Sequence, residues 1–241
     1  MRRFFLSLAL LAVMWASLSG CATKEPRTIY LNSPTLAEPS QGAWWQCRYR
    51  FAWDKKGAAD LSKDLLVAVE GAAPVLETYE GSIYLWRFHR RAAPDAAGHQ
   101  FSLLFYTTAD VAEKLFADLR SVPLIQEMLA RGELLEVVTD DIQNPTRTAI
   151  SATSDAAWPE VIQTHWPVYI MGVSAFWLNM AQELSGETPG EESLDEKFLR
   201  FQGVHDGMTR LWRREGQHAL LHHLSAIFGY ERMWIGMPLR F

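Results

Sequence analysis

Residues 82–107 read SIYLWRFHRRAAPDAAGHQFSLLFYT, and this stretch decides the fold. Tyr84, Trp86 and Phe88 recur at every second position, as do Phe101, Leu103 and Phe105. A period of two is the mark of a strand with one buried face. The segment Ala92 to Gly98 between them contains Pro94-Asp95, a turn signal. The stretch therefore reads as an antiparallel hairpin, with one strand over Ser82 to Arg91 and the other over His99 to Thr107.

Working outward, each flank of the hairpin repeats one pattern. Upstream, Trp45, Cys47, Tyr49, Phe51 and Trp53 alternate with Gln46, Arg48, Arg50 and Ala52, which predicts another half-buried strand. Asp60 then caps a helix with Leu61, Leu65, Leu66 and Val69 on one side, interrupted at Gly71 and Pro74. Downstream, Thr108 caps a helix with Val111, Leu115, Phe116 and Leu119 inward. A second helical piece runs from Pro123 to Gly132, and Leu134 to Asp140 is a fourth strand. The order β-α-β-β-α-β predicts an α+β domain of ferredoxin-like arrangement over about residues 44–141. Tyr84 to Phe105 also resembles the hairpin of thiopeptide-type bacteriocin biosynthesis domains, a likeness that supports the strand pair and carries no function over.

Residues 142–241 read as a C-terminal helical region packing on that domain. One helix opens at Ser154 or Asp155 and closes at Leu184-Ser185-Gly186, with no formal charge between Glu160 and Glu183. Gln163, Thr164, His165, Pro167, Asn179 and Gln182 interrupt the apolar run, so the expectation is a helix buried on most sides rather than a membrane span. Ser193 and Glu196 form a capping-box pattern ahead of a stripe of Phe198, Phe201, Met208, Leu211 and Trp212. A last segment runs from Gln217 to Phe228, and the tail from Met233 is apolar enough to pack back on the body.

The 241 residues are 49% hydrophobic and 21% charged, a globular composition. Net charge is −5, and becomes −7 when Arg2 and Arg3 leave with a leader, which argues against nucleic acid as a partner. Two cysteines exclude a disulfide scaffold and a multi-cysteine zinc module. The leader itself reads MRRFFLSLALLAVMWASLSGC over residues 1–21. Arg2 and Arg3 precede an apolar run from Phe4 to Trp15, too short to span ~30 Å of hydrocarbon comfortably.

Leu18-Ser19-Gly20-Cys21 at the end of that run resembles the lipobox of bacterial lipoproteins. The resemblance implies that residues 1–20 are a signal peptide. It further implies that the Cys21 thiol carries diacylglycerol and that its new amino group is acylated, for example by palmitate. Two or three acyl chains hold firmly, at about 0.8 kcal/mol per buried CH₂. Ala22 in place of Asp implies the inner leaflet of the outer membrane, with the body in the periplasm. Residues 21–43, with Pro26, Pro34 and Pro39, then form a flexible tether. With Cys21 lipidated, Cys47 has no disulfide partner and should be buried.

Two clusters carry candidate chemistry. If the inward faces are as assigned, Arg48 and Arg50 share the second sheet face with Arg87 and His89, and with Gln46, Gln100, Ser102 and Tyr106. An acidic protein then concentrates guanidinium groups on one surface, which suits a carboxylate or phosphate ligand or an anionic partner. The competing expectation is cross-strand pairing with Glu136 and Asp140 or coverage by the C-terminal helices. His218 and His222, four apart, could hold a metal with a third ligand such as His165 or His205, but no HExxH accompanies them. Most of the tryptophans fall in phase with core positions; Trp44, Trp158 and Trp234 do not. No GxSxG, Walker or GxGxxG motif is present, and no cofactor is implied. The sequence thus predicts a non-enzymatic, lipid-anchored envelope protein that binds or scaffolds a partner. The alternative is a metal-dependent envelope hydrolase built on His218 and His222.

Overall fold

The computed structural model describes residues 39–54, 56–186 and 190–230. The leader, Cys21, most of the tether and the tail that contains Met233 and Trp234 lie outside the described residues. The fold is α+β: four strands in the order β2-β3-β1-β4, every neighbouring pair antiparallel, with helices. The strands are β1 (Ala43–Phe51), β2 (Leu85–Ala92), β3 (His99–Thr107) and β4 (Leu134–Thr139). Between β1 and β2 lie α1 (Ser62–Leu66), a π-helical turn (Val67–Ala72) and α2 (Ala73–Thr78). Between β3 and β4 lie α3 (Ala109–Ser121) and α4 (Pro123–Ala130). A 3₁₀ turn (Ile150–Thr153), α5 (Glu160–Ser185), α6 (Leu194–Glu215), a π-helical turn (Gly216–His222) and α7 (His223–Ile227) complete the described chain.

The alternation that defines the strands sets the core. Trp45, Cys47, Tyr49 and Phe51 of β1 point to the same side as Phe101, Leu103 and Phe105 of β3 and Trp86 and Phe88 of β2. Leu65, Leu66, Leu115, Phe116, Leu119 and Ile125 pack against them from the helices. Each such side chain, fully buried, contributes about 1.5–3 kcal/mol by area. Cys47 is buried as expected, and burial pushes its thiol up to about 12, far from a reactive thiolate.

Pro74 does not end the first crossover, because proline is tolerated in a first turn, and the chain passes through Val67–Ala72 as a π-helical turn into α2. Further on, α5 begins at Glu160, later than Ser154 or Asp155. Pro159 precedes its first residue, and Ile150–Thr153 is a separate 3₁₀ turn. Pro167 lies inside α5 and cannot donate to the carbonyl of Gln163; that oxygen instead accepts a hydrogen bond from Ser154 Oγ at 2.7 Å. The proline thus turns a lost helical bond into a tie between α5 and the 3₁₀ turn.

The expectation that α5 is buried on most sides is corrected. It packs against β2 and α6, burying Ser174, Ala175, Leu178 and Ala181. Val161 (67% exposed), Tyr169 (52%) and Phe176 (45%) face outward. The helix lies beside the lateral strand rather than beneath a second layer, so only one side finds partners. Among the described residues no helix is long and apolar enough to cross a membrane. At α6 the capping box forms as read: Ser193 Oγ accepts from the Glu196 N–H and Glu196 Oε2 accepts from the Ser193 N–H. Phe201 is buried, but Trp212 is 59% exposed and Leu211 41%, so the expected stripe leaves the core before the helix ends. Gly216 does not stop the helix; the chain runs on through the π-helical turn Gly216–His222.

Candidate functional site

The sheet face opposite the main core carries the predicted arginine cluster. Register sets its rows: Arg48 lies opposite Ser102, which lies opposite His89; Gln46 opposite Leu104 opposite Arg87; Arg50 opposite Gln100 opposite Arg91. Arg48, Arg50, Arg87 and His89 therefore share one surface, joined by Arg91.

Carboxylates neutralise this face unevenly. Arg50 Nη1 donates to Glu136 Oε1 at 3.2 Å, the cross-strand pair foreseen in the sequence, and both groups are well exposed. Arg91 is held by Asp95, whose carboxyl that bond depresses to about 2. Asp140 is taken by Arg147 and by the N–H of Gln46, and among the described residues it pairs with neither Arg48 nor Arg87. Arg48 faces Ser102 and Val138, and its Nε is buried with no hydrogen-bond partner among the described residues. Arg87 makes no ion pair among the described residues either. Its Nε donates to Thr153 Oγ1 at 2.8 Å, and its guanidinium carbon lies 5.0 Å from the Trp166 ring centre. Burial, with the charge of Arg147 nearby, brings the Arg87 guanidinium down to about 10. Burial and the charges of Arg87 and Arg91 likewise hold the His89 imidazole below its ordinary 6.5. The burial penalises any charge here, while the neighbouring arginine charges favour an anion.

One end of this face is covered, and not by the C-terminal helices alone. Trp44, Leu85, Leu104 and Tyr106 form a second small core, packed by Ile150 and Met171. Trp44 Nε1 donates to the Ile150 carbonyl at 2.7 Å and Tyr106 donates to the Thr148 carbonyl at 2.8 Å. This accounts for Trp44, whose phase had set it apart from the main core. Beyond the covered end, a groove of about 680 Å³ runs between β2 and α5, with Arg87, His89, Thr153, Ser154, Trp158 and Trp166 in its walls. Trp158 and Trp166 stand 5.3 Å apart between ring centres, and Gln163 Nε2 holds the Trp158 carbonyl at 2.6 Å. Trp158, also out of phase in the sequence, is thus a groove wall.

The structure brings His218 and His222 together, with ring centres 5.2 Å apart, and adds His223 at 5.4 and 5.3 Å from them. His223 joins because the turn is π-helical, which widens the set of residues stacked on one side. Among the described residues no group of three or more His, Cys, Asp or Glu is arranged to hold a metal ion.

A polar cluster that the sequence reading missed lies within the main core. His99 Nε2 and Asp64 Oδ1 are 2.7 Å apart, and neither side chain has exposed surface. Arg90 Nε donates to Asp64 Oδ2 at 2.7 Å, and Arg90 Nη2 donates to the Leu61 carbonyl at 2.9 Å. The signal was in the phase: His99 has the parity of Phe101 and Leu103, and Arg90 that of Trp86 and Phe88. Phe51 and Trp53 flank the His99 ring at 4.8 and 6.3 Å. No substrate could reach so enclosed an imidazole, so this cluster orders Arg90 and the core. No family model, curated protein or solved structure matches the chain.

Proposed function

We propose that this chain is a lipid-anchored envelope protein that binds, without catalysis, an anionic ligand or an anionic patch of an envelope partner. The ligand face is Arg48, Arg50, Arg87 and His89, with Trp158 and Trp166 walling the adjoining groove. The observation that carries this reading is that Arg48 shares a register row with His89, and Arg87 stands in the adjacent row of the same face, neither with a carboxylate partner among the described residues. Guanidinium groups left without acids on an acidic protein are set for planar anions. The strand order β2-β3-β1-β4 supports a ferredoxin-like reading of the sheet domain, a scaffold used for many tasks and so silent on the ligand. The address rests on Leu18-Ser19-Gly20-Cys21 and Ala22: an acylated Cys21 in the inner leaflet of the outer membrane, with the body in the periplasm.

Two measurements test this. Labelled palmitate should enter the wild-type chain and not Cys21→Ala; incorporation that survives the substitution removes the anchor. Cross-linking and capture from membranes should recover a partner that the Arg48→Ala/Arg50→Ala/Arg87→Ala variant loses. An unchanged partner set, at unchanged melting temperature, removes the sheet face.

A further inference from the structure

A second cavity, of about 370 Å³, lies between α5, α6 and the π-helical turn Gly216–His222 and shares Arg90 and Trp177 with the sheet-face groove. Its size is that of a small-ligand site. Phe176, Met180, Met208, Leu211, Trp212 and Leu220 make its walls predominantly apolar. A Cβ at Gly216 would stand 2.9 Å from the Trp212 ring, so a larger residue here would displace that indole from the turn.

Into this apolar space comes one ordered cation. Arg90 lines the cavity, with its guanidinium carbon 5.2 Å from the Trp177 ring centre. A guanidinium has five N–H donors. Two are used, by Asp64 and the Leu61 carbonyl, and among the described residues Nη1 has no partner. Asp64 is itself fixed by His99, so a wholly buried pair clamps one edge of the guanidinium and leaves the other edge preorganised. A buried carboxylate is costly unless paired, and here the pairing also aims Arg90. His205 lines the same cavity, and Glu215 at its wall is turned toward Arg214 at 3.6 Å.

We infer that this cavity binds a single-chain acyl carboxylate, with the carboxylate on the free edge of Arg90 and the hydrocarbon against Met180, Met208 and Leu220. The planar fork matches a carboxylate, and the charge-assisted bond gains strength in apolar surroundings. This site is independent of the sheet-face reading and survives its failure.

The test uses the full chain and bromine-labelled probes that quench Trp177 and Trp212 on contact. 11-Bromoundecanoate, kept below its micelle concentration, should quench saturably at one site per chain. The neutral 11-bromoundecanol should need about tenfold more for half-saturation, the factor expected from losing one charge-assisted bond. Arg90→Gln should bring the two probes to within about threefold of each other. Because Arg90 also supports the core, Ala219→Trp, which fills the cavity from an exposed wall, provides the second variant. It should abolish quenching at unchanged melting temperature. Equal response to the two probes, non-saturating quenching, or full quenching in Ala219→Trp each overturns the inference. So does binding seen only after deletion of residues 231–241, which would make the chain's own tail the occupant.

Discussion

Asp64 of α1 and His99 of β3, neither with any exposed surface, meet at 2.7 Å across the main core. Arg90 completes the arrangement from β2, so three elements are joined through one carboxylate. Removing Asp64 leaves an imidazole and a guanidinium without their acceptor. Asp64→Ala should cost about 3–5 kcal/mol, as for a broken buried ion pair. His99→Phe, which leaves the Arg90 bond in place, should cost about 1–3 kcal/mol. Urea unfolding at neutral pH measures both, and a loss below about 1 kcal/mol for Asp64→Ala would contradict the arrangement.

The His89 imidazole should titrate below 6.5, because burial and the charges of Arg87 and Arg91 oppose its protonation. The unfolded chain then binds the proton more readily than the folded one. This contribution leaves stability untouched above the unfolded pKa and lowers it as pH falls through 6.5 toward the folded value. Nuclear magnetic resonance of the ring protons reads the midpoint directly. A bound anion should raise it, and Arg87→Gln should raise it without any ligand. A midpoint at or above 6.5 in the free protein would show that the arginines do not act on His89.

Cys47 should resist thiol reagents in the folded state and react on unfolding, since burial pushes its thiol to about 12 from an ordinary 9.0. A raised thiol pKa contributes stability that is fully present below pH 9 and declines as pH rises toward 12. Alkylation at pH 8 should therefore track the opening of the sheet rather than the reagent concentration. Fast labelling of the native chain would mean that β1 is not where its register puts it.

Gly42 precedes β1 where a Cβ would meet the Tyr106 ring at 2.4 Å. That ring cannot swing away freely, because its hydroxyl bonds the Thr148 carbonyl and Trp44 packs against it at 5.6 Å. Gly42→Ala should cost about 1–3 kcal/mol by overpacking. The same change in a Tyr106→Leu background should cost less, and thermal unfolding of the four proteins closes the cycle.

Period-two alternation is enough to read β1, β2 and β3, and β3 begins and ends at the residues inferred, His99 and Thr107. The shared face of Arg48, Arg50, Arg87 and His89 followed from the same parity. What parity cannot give is the partner of each charge. Asp140 belongs to Arg147, a contact made by the chain doubling back after β4, and nothing local announces it. The Asp64–His99–Arg90 cluster is not legible in the sequence, because a polar residue in core phase does not announce the distant partner that lets it be buried. The exposed side of α5 escaped for the opposite reason: its lack of charge says that the helix tolerates burial, not that a second layer exists to bury it. Trp44 and Trp158 stood out of phase, and both proved to belong to the side of the sheet away from the main core.

The N–H of Phe88 is bonded to Ser174 Oγ at 3.1 Å, so α5 occupies the flank of β2 where another strand would add. Only β4 still presents an unclaimed ladder among the described residues. A ribbon closed on one border cannot propagate, because each added copy would need two free borders. Strand addition to the described sheet would therefore be confined to the β4 border, where two copies could meet only as a pair.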